Sequence, residues 1–293
     1  MNYALDALWW RLTHPTIRAL ATLLTAPLLW RSEIELPVCR LLGKHGFRFL
    51  LQLNDEPNRL PEKLLQPQNS HLGHYAEDLL AFWFTHAPHS TLIAHNLPIV
   101  SGSQTLGALD FVVALSGSLH HVELTCKYYG SSTGQPENMV GLNPRDTLLA
   151  KQHKMQQQSQ LSQHPVAKTI LTNMGIEAEK LQCANITRGM AFTLSGSLPE
   201  HTLYPLNAWT GLYFQHQQQW QQFAKDARFY PLQRHEYLAP ARITYDQTHT
   251  RDAITQMGQG LYAQVMLRPD GFWHEQQRIM FMHRLPEKGN VLQ

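Results

Sequence analysis

The sequence predicts an α/β fold: a mixed sheet flanked by helices on both faces, with a helical N-terminal extension and an α+β C-terminal region. Three observations predict it. Helical apolar spacing dominates the first segment, strand-like stretches alternate with helical ones in the middle, and Pro269-Asp270-Gly271 separates two strand-like stretches near the end. We therefore divide the chain into an extension (1–65), a core (66–196) and a C-terminal region (197–293) packed on the core.

Composition excludes several classes of protein. Charged residues make up 16% of the 293 residues, against about 25% in an average soluble protein, and the net charge is +2. With 43% hydrophobic residues the chain is too apolar to be disordered throughout, and it lacks the charge density of a basic DNA-packaging protein. Function must therefore depend on a few particular residues.

Cysteine spacing and apolar runs indicate in which cellular compartment the protein resides. Cys39, Cys126 and Cys183 are far apart and form no zinc or disulfide pattern. The apolar run Ala19–Trp30 contains Pro27 and is shorter than the roughly 20 residues that span a bilayer. We expect a cytoplasmic protein with no membrane association.

The N-terminal extension predicts helices over Ala4–Thr13 and Thr16–Thr25, with Pro15 and Pro27 as breakers. Phe47–Leu53 has the alternation of a strand, and Asp55–Ser70, rich in Pro, Asn and Gln, is typical of a loop.

The core is the most regularly patterned segment. A helix is predicted over Leu72–His86, and it should be buried because Leu79–Phe84 is apolar on every face. Further elements follow in chain order: strands at Thr91–Val100, Gly107–Leu115 and His120–Tyr129, a helix from Pro144 to about Gln163, a helix at Val166–Asn173 and a strand at Gly189–Ser195. In the C-terminal region we predict a helix over Gln215–Arg228 and a hairpin of Leu261–Leu267 with Phe272–Met282.

The hairpin of the second and third core strands carries the chemistry. Gly117-Ser118 suits a two-residue type II′ turn, which places Asp110 opposite Thr125. Because side chains alternate along a strand, Asp110 then shares one face with Glu123, Thr125 and Lys127, whereas Val122, Leu124, Cys126 and Tyr128 face the core.

Two carboxylates and an ammonium on one face suit a hard divalent cation. Mg²⁺ binds one or two carboxylates, with waters and substrate phosphates as its other ligands. Asp110 and Glu123 would supply the carboxylates, the Leu124 carbonyl a third ligand, and Lys127 would orient a water or the scissile phosphate. Glu77, on an otherwise apolar helix, should face something cationic such as the metal or its water shell.

Plainer interpretations stay open at this point. The strand residues could face solvent, as one face of an antiparallel sheet often does, and spacing alone favours that interpretation. Glu77 and Asp78 could be an acidic first turn that complements the helix dipole. The histidine pairs, including His120/His121, form no HExxH pattern, and we expect them to be surface or partly buried residues.

Basic residues beside aromatic ones are candidates for phosphate contact. Lys151 and Lys154 lie one turn apart on a predicted helix, and so do Lys225 and Arg228, next to Trp220 and Phe223. Each pair suits a nucleic-acid groove with aromatic stacking. The alternative, a solvated helix face backed by core aromatics, is favoured for each pair by its spacing.

Three short segments resemble the motifs of the PD-(D/E)XK nuclease superfamily, whose core runs helix, three strands, helix, strand. The segments are Leu72–Glu77 (LGHYAE), Leu106–Phe111 (LGALDF) and Val122–Tyr129 (VELTCKYY). Most of the chain is also similar to an uncharacterised bacterial domain-of-unknown-function family placed near these nucleases. The matching pieces are PTIRALA at 15–21, NPRD at 143–146, LNAW at 206–209 and YLAPAR at 237–242.

The resemblance implies roles for individual residues. Asp110 and Glu123 match the metal-binding carboxylates, with Mg²⁺ or Mn²⁺ as cofactor, and Glu77 matches the first-helix acid. The superfamily usually has a lysine where this chain has Thr125, and Lys127 stands two residues later. The following helix often contributes a Gln or Lys in such enzymes, which makes Lys151 and Gln152 candidates.

The favoured hypothesis is therefore a metal-dependent nuclease acting on DNA or RNA. The alternative is a catalytically inactive member of the same fold that binds nucleic acid or a protein partner, and the displaced lysine motivates it. A scaffold without a metal role is the third hypothesis.

Overall fold

The computed structural model describes residues 10–67 and 71–282. The predicted α/β class is confirmed, since the described residues form a large mixed sheet with helices packed against it. The described α-helices are α1 (Pro15–Thr25), α2 (Val38–Leu42), α3 (Gly46–Asp55), α4 (Glu62–Leu65), α5 (Leu72–His86), α6 (Leu148–Ser159), α7 (Pro165–Asn173) and α8 (Arg251–Ile254). The described strands are β1 (Ser90–Ser101), β2 (Gln104–Leu115), β3 (Ser118–Gly130), β4 (Gln182–Thr193), β5 (Thr210–Phe214), β6 (Arg228–Pro231), β7 (Arg242–Ile243), β8 (His249–Thr250), β9 (Gly260–Leu267) and β10 (Trp273–Phe281).

The strands follow one another in the order β1-β2-β3-β4-β5-β10-β9-β6-β8, and β7 pairs with β10. β1, β2 and β3 are antiparallel, β4 runs parallel to both β3 and β5, and β10 pairs parallel with β5. The sheet therefore continues from the core strands into the C-terminal region without a break among the described residues.

Both faces of the sheet are covered by helices. Val112 and Val113 are neighbours on β2, so their side chains point to opposite faces. Val113 packs in the large apolar cluster with residues of α1, α3 and α5, whereas Val112 packs with residues of α7. On the second face, α6 also contributes Leu148 and Met155 to a cluster with Tyr129 of β3. The core hairpin is thus held between α5 on one face and α6 and α7 on the other.

Several predicted elements are confirmed. The helix predicted over Leu72–His86 is α5 with the same bounds, and the three core strands, the helix over Val166–Asn173 and the C-terminal hairpin all form. The strand predicted at Gly189–Ser195 is the last part of β4, which begins earlier, at Gln182. The predicted helix Ala4–Thr13 lies mostly outside the described residues. None of the helices in the two described ranges is long and apolar enough to cross a membrane.

The strand predicted over Phe47–Leu53 is wrong, because this segment lies within helix α3. Phe49, Leu50 and Leu53 are its buried apolar residues, a helical spacing that packs against the rest of the N-terminal extension. The segment fits strand alternation as well, and tertiary packing decides between the two periods. The loop predicted over Asp55–Ser70 contains the short helix α4, and its residues 68–70 lie outside the described ranges.

The helix predicted over Gln215–Arg228 is also wrong. A short 3₁₀ helix occupies Gln217–Gln222, and Arg228 begins strand β6. The Gln219 side chain accepts hydrogen bonds from the Gln215 and His216 N–H groups, which caps the turn at its start. Local side-chain bonds of this kind compete with a continuous helix.

The β2–β3 hairpin has a different turn from the predicted one. Ser116 and Gly117 both have positive φ, at 48° and 84°, as a two-residue type I′ turn requires. Phe111 pairs with Val122, so the predicted pairing of Asp110 with Thr125 is wrong by two residues. Since side chains alternate with a period of two, a shift of two residues keeps every side chain on its predicted face.

Candidate functional site

β2 and β3 separate at the level of Asp110 and Glu123. Their ladder ends at the pair Phe111–Val122, and side chains replace the backbone bonds beyond that point. The Asp110 N–H donates to Glu123 Oε1 at 3.2 Å, and the Leu124 N–H donates to Asp110 Oδ2 at 2.9 Å. We name the space between these two residues and the Leu124 backbone the carboxylate gap.

Each carboxylate in the gap commits one oxygen to the protein. Glu123 Oε2 and Asp110 Oδ1 accept no hydrogen bond from the described residues. Neither oxygen is completely buried. Glu123 is only 2% exposed, so its second oxygen has little access to bulk solvent. Each carboxylate therefore keeps one oxygen that no hydrogen-bond donor among the described residues occupies.

The Leu124 backbone faces the same gap. In a strand, the N–H and C=O of one residue lie on the same edge. Because the Leu124 N–H points at Asp110, its carbonyl also points towards β2, where the ladder has ended. The Leu124 carbonyl, which is the predicted third ligand, therefore lies on the β2 edge of β3.

His121 holds the inner oxygen of Glu123. Its Nε2 lies 2.8 Å from Glu123 Oε1, its Nδ1 lies 3.0 Å from Ser162 Oγ, and the ring is fully buried. Burial alone lowers the pKa of His121, but its interactions with Cys183 and Glu123 outweigh that effect and raise the pKa to about 9. The expectation that His120 and His121 are surface or partly buried residues is wrong, because both are buried and His121 completely so. Strand alternation, which places residues 121 and 123 on one face, is the signal that could have found it.

The pKa of the Asp110 carboxyl group is strongly raised. Burial raises its pKa, the neighbouring Glu123 carboxylate raises it further, and the result is about 7. Glu77 adds to this rise, whereas the Leu124 N–H and Lys151 oppose it. A carboxyl group that is costly to ionise in the free protein gains most from a cation placed beside it.

Two lysines, Lys127 and Lys151, lie near the gap, and they differ in their ion pairing. Lys127 Nζ lies 2.6 Å from Asp146 Oδ2, and the Tyr129 hydroxyl donates to the other oxygen of Asp146 at 3.0 Å. Lys151 has no ion-pair partner within the described ranges. Its pKa is lowered by burial and by Lys127 and Lys154, while Asp110 and Glu123 oppose this. The structure thus brings Lys151 into the field of both carboxylates and ties Lys127 to Asp146.

The helix start explains the Lys127 pairing. The predicted helix from Pro144 instead begins at Leu148, with the Thr147 side chain as its N-cap. Asn143 and Asp146 form a turn before it, in which the Asp146 N–H donates to the Asn143 carbonyl. This turn presents the Asp146 carboxylate to Lys127.

Of three other predicted residues, Glu77 acts on the gap electrostatically, whereas Lys225 and Arg228 belong to the C-terminal region. Glu77, on α5, is close enough to raise the pKa of Asp110, but its nearest ion pair is with His74, at 3.6 Å. Arg228 lies on β6, with its guanidinium over the Tyr245 ring, and Lys225 is exposed in the segment before β6. The structure places no described residue of the gap in contact with Lys225 or Arg228.

The donor set fits one kind of cation. Within the described ranges, no group of three or more His, Cys, Asp or Glu side chains is placed to hold a metal ion. A zinc site of the usual closed type is therefore not formed by these residues. Two carboxylates and a backbone carbonyl, with water for the remaining positions, match the partial protein coordination typical of Mg²⁺.

Comparison with known proteins gives a family. Residues 7–282 match the family described as Domain of unknown function (DUF1853). The chain belongs to this family. No curated protein matches the chain, and no solved structure does so either. The family assignment covers the gap, α5 and α6 together, but it assigns no activity to them.

Proposed function

We propose that this protein is a Mg²⁺- or Mn²⁺-dependent nuclease that hydrolyses phosphodiester bonds in DNA or RNA at a PD-(D/E)XK-like site. One observation carries the proposal: the β2–β3 ladder opens where Asp110 and Glu123 each keep one oxygen free. The element order α5, β1, β2, β3, α6, α7, β4 supports the same assignment, because it contains the order of that superfamily's core, with α7 as an additional helix before β4.

The residues of the chain divide the work as follows. Asp110 Oδ1, Glu123 Oε2 and the Leu124 carbonyl would hold the cation, which supplies a more acidic bound water and stabilises charge on the phosphate. His121 and the Asp110 N–H hold Glu123 in place. Lys151 interacts electrostatically with both carboxylates and would bind the negatively charged phosphate beside the gap. Glu77 adds negative charge on the α5 side of the site.

The test uses the purified full chain with single- and double-stranded DNA and RNA, with Mn²⁺, Mg²⁺ or EDTA. We expect cleavage only with metal, and its loss in Asp110→Asn. Asp55→Asn is the matched control, because Asp55 is an exposed residue at the end of α3. No cleavage on any substrate, or cleavage that survives Asp110→Asn, would refute the proposal.

A second candidate is a catalytically inactive protein of the same fold that binds nucleic acid or a protein partner. Two observations favour it. The usual lysine position of the strand motif holds Thr125, and Lys127, two residues later, is engaged in an ion pair with Asp146. Under this alternative, nucleic acid binds in EDTA but is never cleaved with Mn²⁺. Cleavage by the wild type would exclude it.

A further inference from the structure

The three cysteines of the chain have different surroundings. Cys126, on β3, is buried, and this burial raises the pKa of its thiol to about 12. Cys39, on α2, is exposed, and Cys183, the second residue of β4, is partly exposed. Because the thiolate is the reactive form of cysteine, both access and the groups around the sulfur decide which thiol reacts.

Polar side chains surround the Cys183 sulfur. β3 and β4 pair in parallel, and their register places Cys183 directly beside His121. Ser162 Oγ lies 3.4 Å from the Cys183 sulfur and 3.0 Å from His121 Nδ1, so it bridges the two side chains. Gln163 Nε2 donates to the same sulfur at 3.6 Å. We name these four residues the thiol cluster.

The contacts of the thiol cluster favour the charged form of the sulfur. The hydrogen bond with His121 lowers the pKa of the Cys183 thiol, although burial opposes this. Ser162 and Gln163 lower it further. His121 is itself held by Glu123, whose Oε1 lies 2.8 Å from Nε2. A thiol, a hydrogen-bonded imidazole and a carboxylate that orients the imidazole form the usual arrangement of an activated cysteine.

We propose that Cys183 is an oxidation site, at which a small hydroperoxide converts the thiol to a sulfenic acid. The Cys183 sulfur attacks the terminal oxygen of the hydroperoxide, so that an S–O bond forms and the O–O bond breaks. The sulfur gives two electrons to the peroxide, and the leaving oxygen takes up the proton that the thiol released, which yields water or an alcohol. The reactant must be small, because Cys183 is only partly exposed and the adjoining Ser162 is buried.

Cys126 cannot convert this product to a disulfide. Cys183 is level with His121, and Cys126 lies five residues further along β3, a distance of roughly 16 Å. A disulfide needs Cα atoms within about 7 Å of each other. The sulfenic acid is therefore not consumed by Cys126, and the nucleophile dimedone can trap it. The inference does not rest on the proposed nuclease activity, because oxidation needs neither metal nor nucleic acid.

The experiment treats the full chain with hydrogen peroxide and dimedone at neutral pH in EDTA, and mass spectrometry of the digested protein follows the labelling of each cysteine. We expect Cys183 to be labelled at least about 5-fold faster than Cys39, and Cys126 to stay unlabelled. Exposure alone predicts the opposite order for the first two, with Cys39 ahead. Labelling of Cys39 as fast as that of Cys183, or no labelling of Cys183, overturns the proposal.

Variants of the thiol cluster test the cause of the reactivity. Gln163→Leu removes one donor to the sulfur from an exposed position, and Ser162→Ala removes a second contact. Each should slow the labelling of Cys183 by at least about 3-fold. Gln157→Leu is the matched control, an exposed glutamine of α6 that should leave the rate unchanged. Cys126 in the same samples shows that each variant stays folded. Unchanged labelling of Cys183 in both cluster variants would overturn the assignment.

Discussion

Two buried carboxylate sites in this sheet differ in how their oxygens are used. On β10, Glu275 accepts on both oxygens: Arg278 Nε donates to Oε1 at 2.9 Å, and Arg278 Nη2 and the Ala241 N–H donate to Oε2 at 2.7 and 2.9 Å. In the carboxylate gap, Asp110 and Glu123 each give one oxygen to protein donors and keep one free. Glu275 and Glu123 are both buried, so burial alone does not separate the two sites.

The two sites differ instead in how many of their carboxylate oxygens accept hydrogen bonds from protein donors. A carboxylate saturated by Arg and backbone N–H groups holds structure, and it has no lone pair aimed at an external ligand. Glu35 belongs with Glu275, since Arg188 and Thr187 engage its two oxygens. In the gap, the buried Glu123 and the half-buried Asp110 each keep one oxygen without a donor among the described residues, which is the physical basis for proposing a cation there.

The largest expected loss of stability follows from a substitution at Glu275, whose two oxygens both accept hydrogen bonds. Glu275→Ala leaves the buried Arg278 guanidinium without its carboxylate, and we expect the free energy of unfolding to fall by about 3–5 kcal/mol. Urea denaturation measures it, with the exposed Glu200→Ala as control, expected within about 0.5 kcal/mol of wild type. A loss under about 1 kcal/mol in Glu275→Ala would contradict the structural role given to this pair.

Metal binding is the next effect, and it should be confined to the gap. Mn²⁺ at about 100 times its dissociation constant should raise the free energy of unfolding of the wild type by about 2.7 kcal/mol. Asp110→Asn should abolish the rise, and Asp55→Asn should keep it. Thermal denaturation across a Mn²⁺ titration measures both. An equal rise in the Asp110→Asn variant would locate the metal outside the gap.

The pH dependence of stability sharpens the contrast further. The folded-state pKa of Asp110, about 7, exceeds the ordinary value of 3.8. Its contribution to stability is therefore fully present below about pH 4 and is lost as pH rises through about 7. Asp110→Asn removes this loss, and its amide oxygen can still accept from the Leu124 N–H. We expect this variant to be more stable than wild type by roughly 2 kcal/mol at pH 8 without metal.

Urea denaturation at pH 5 and pH 8 tests this. The advantage of Asp110→Asn should shrink towards pH 5, and His121 does not affect the difference because both proteins contain it. An advantage that is the same at both pH values would mean that Asp110 is not the titrating group.

The sequence predicts the fold class and the hairpin face that carries Asp110 and Glu123. It does not predict the features that depend on tertiary contacts. Asp110 and Glu123 share a face in either register, because the turn moved the pairing by an even number of residues. The partner of Lys127 depends on a turn at Asn143–Asp146 that no local pattern distinguishes from the start of a helix. No helical metal motif contains His121, and its contact with Glu123 follows from strand alternation instead.

The smallest expected effect concerns Lys127. Its pair with Asp146 is partly exposed, at 34% and 30%, so we expect Lys127→Ala to cost about 0.2–1 kcal/mol of stability, and less at high salt. If Lys127 serves only this pair, Asp146→Asn should cost at least as much as Lys127→Ala, because Asp146 also accepts from the Tyr129 hydroxyl, and the double variant should cost no more than Asp146→Asn alone. Urea denaturation of the four proteins measures that cycle. Additive costs would show that Lys127 has another partner, and the carboxylate gap, with which it shares a strand face, would then be the place to look for it.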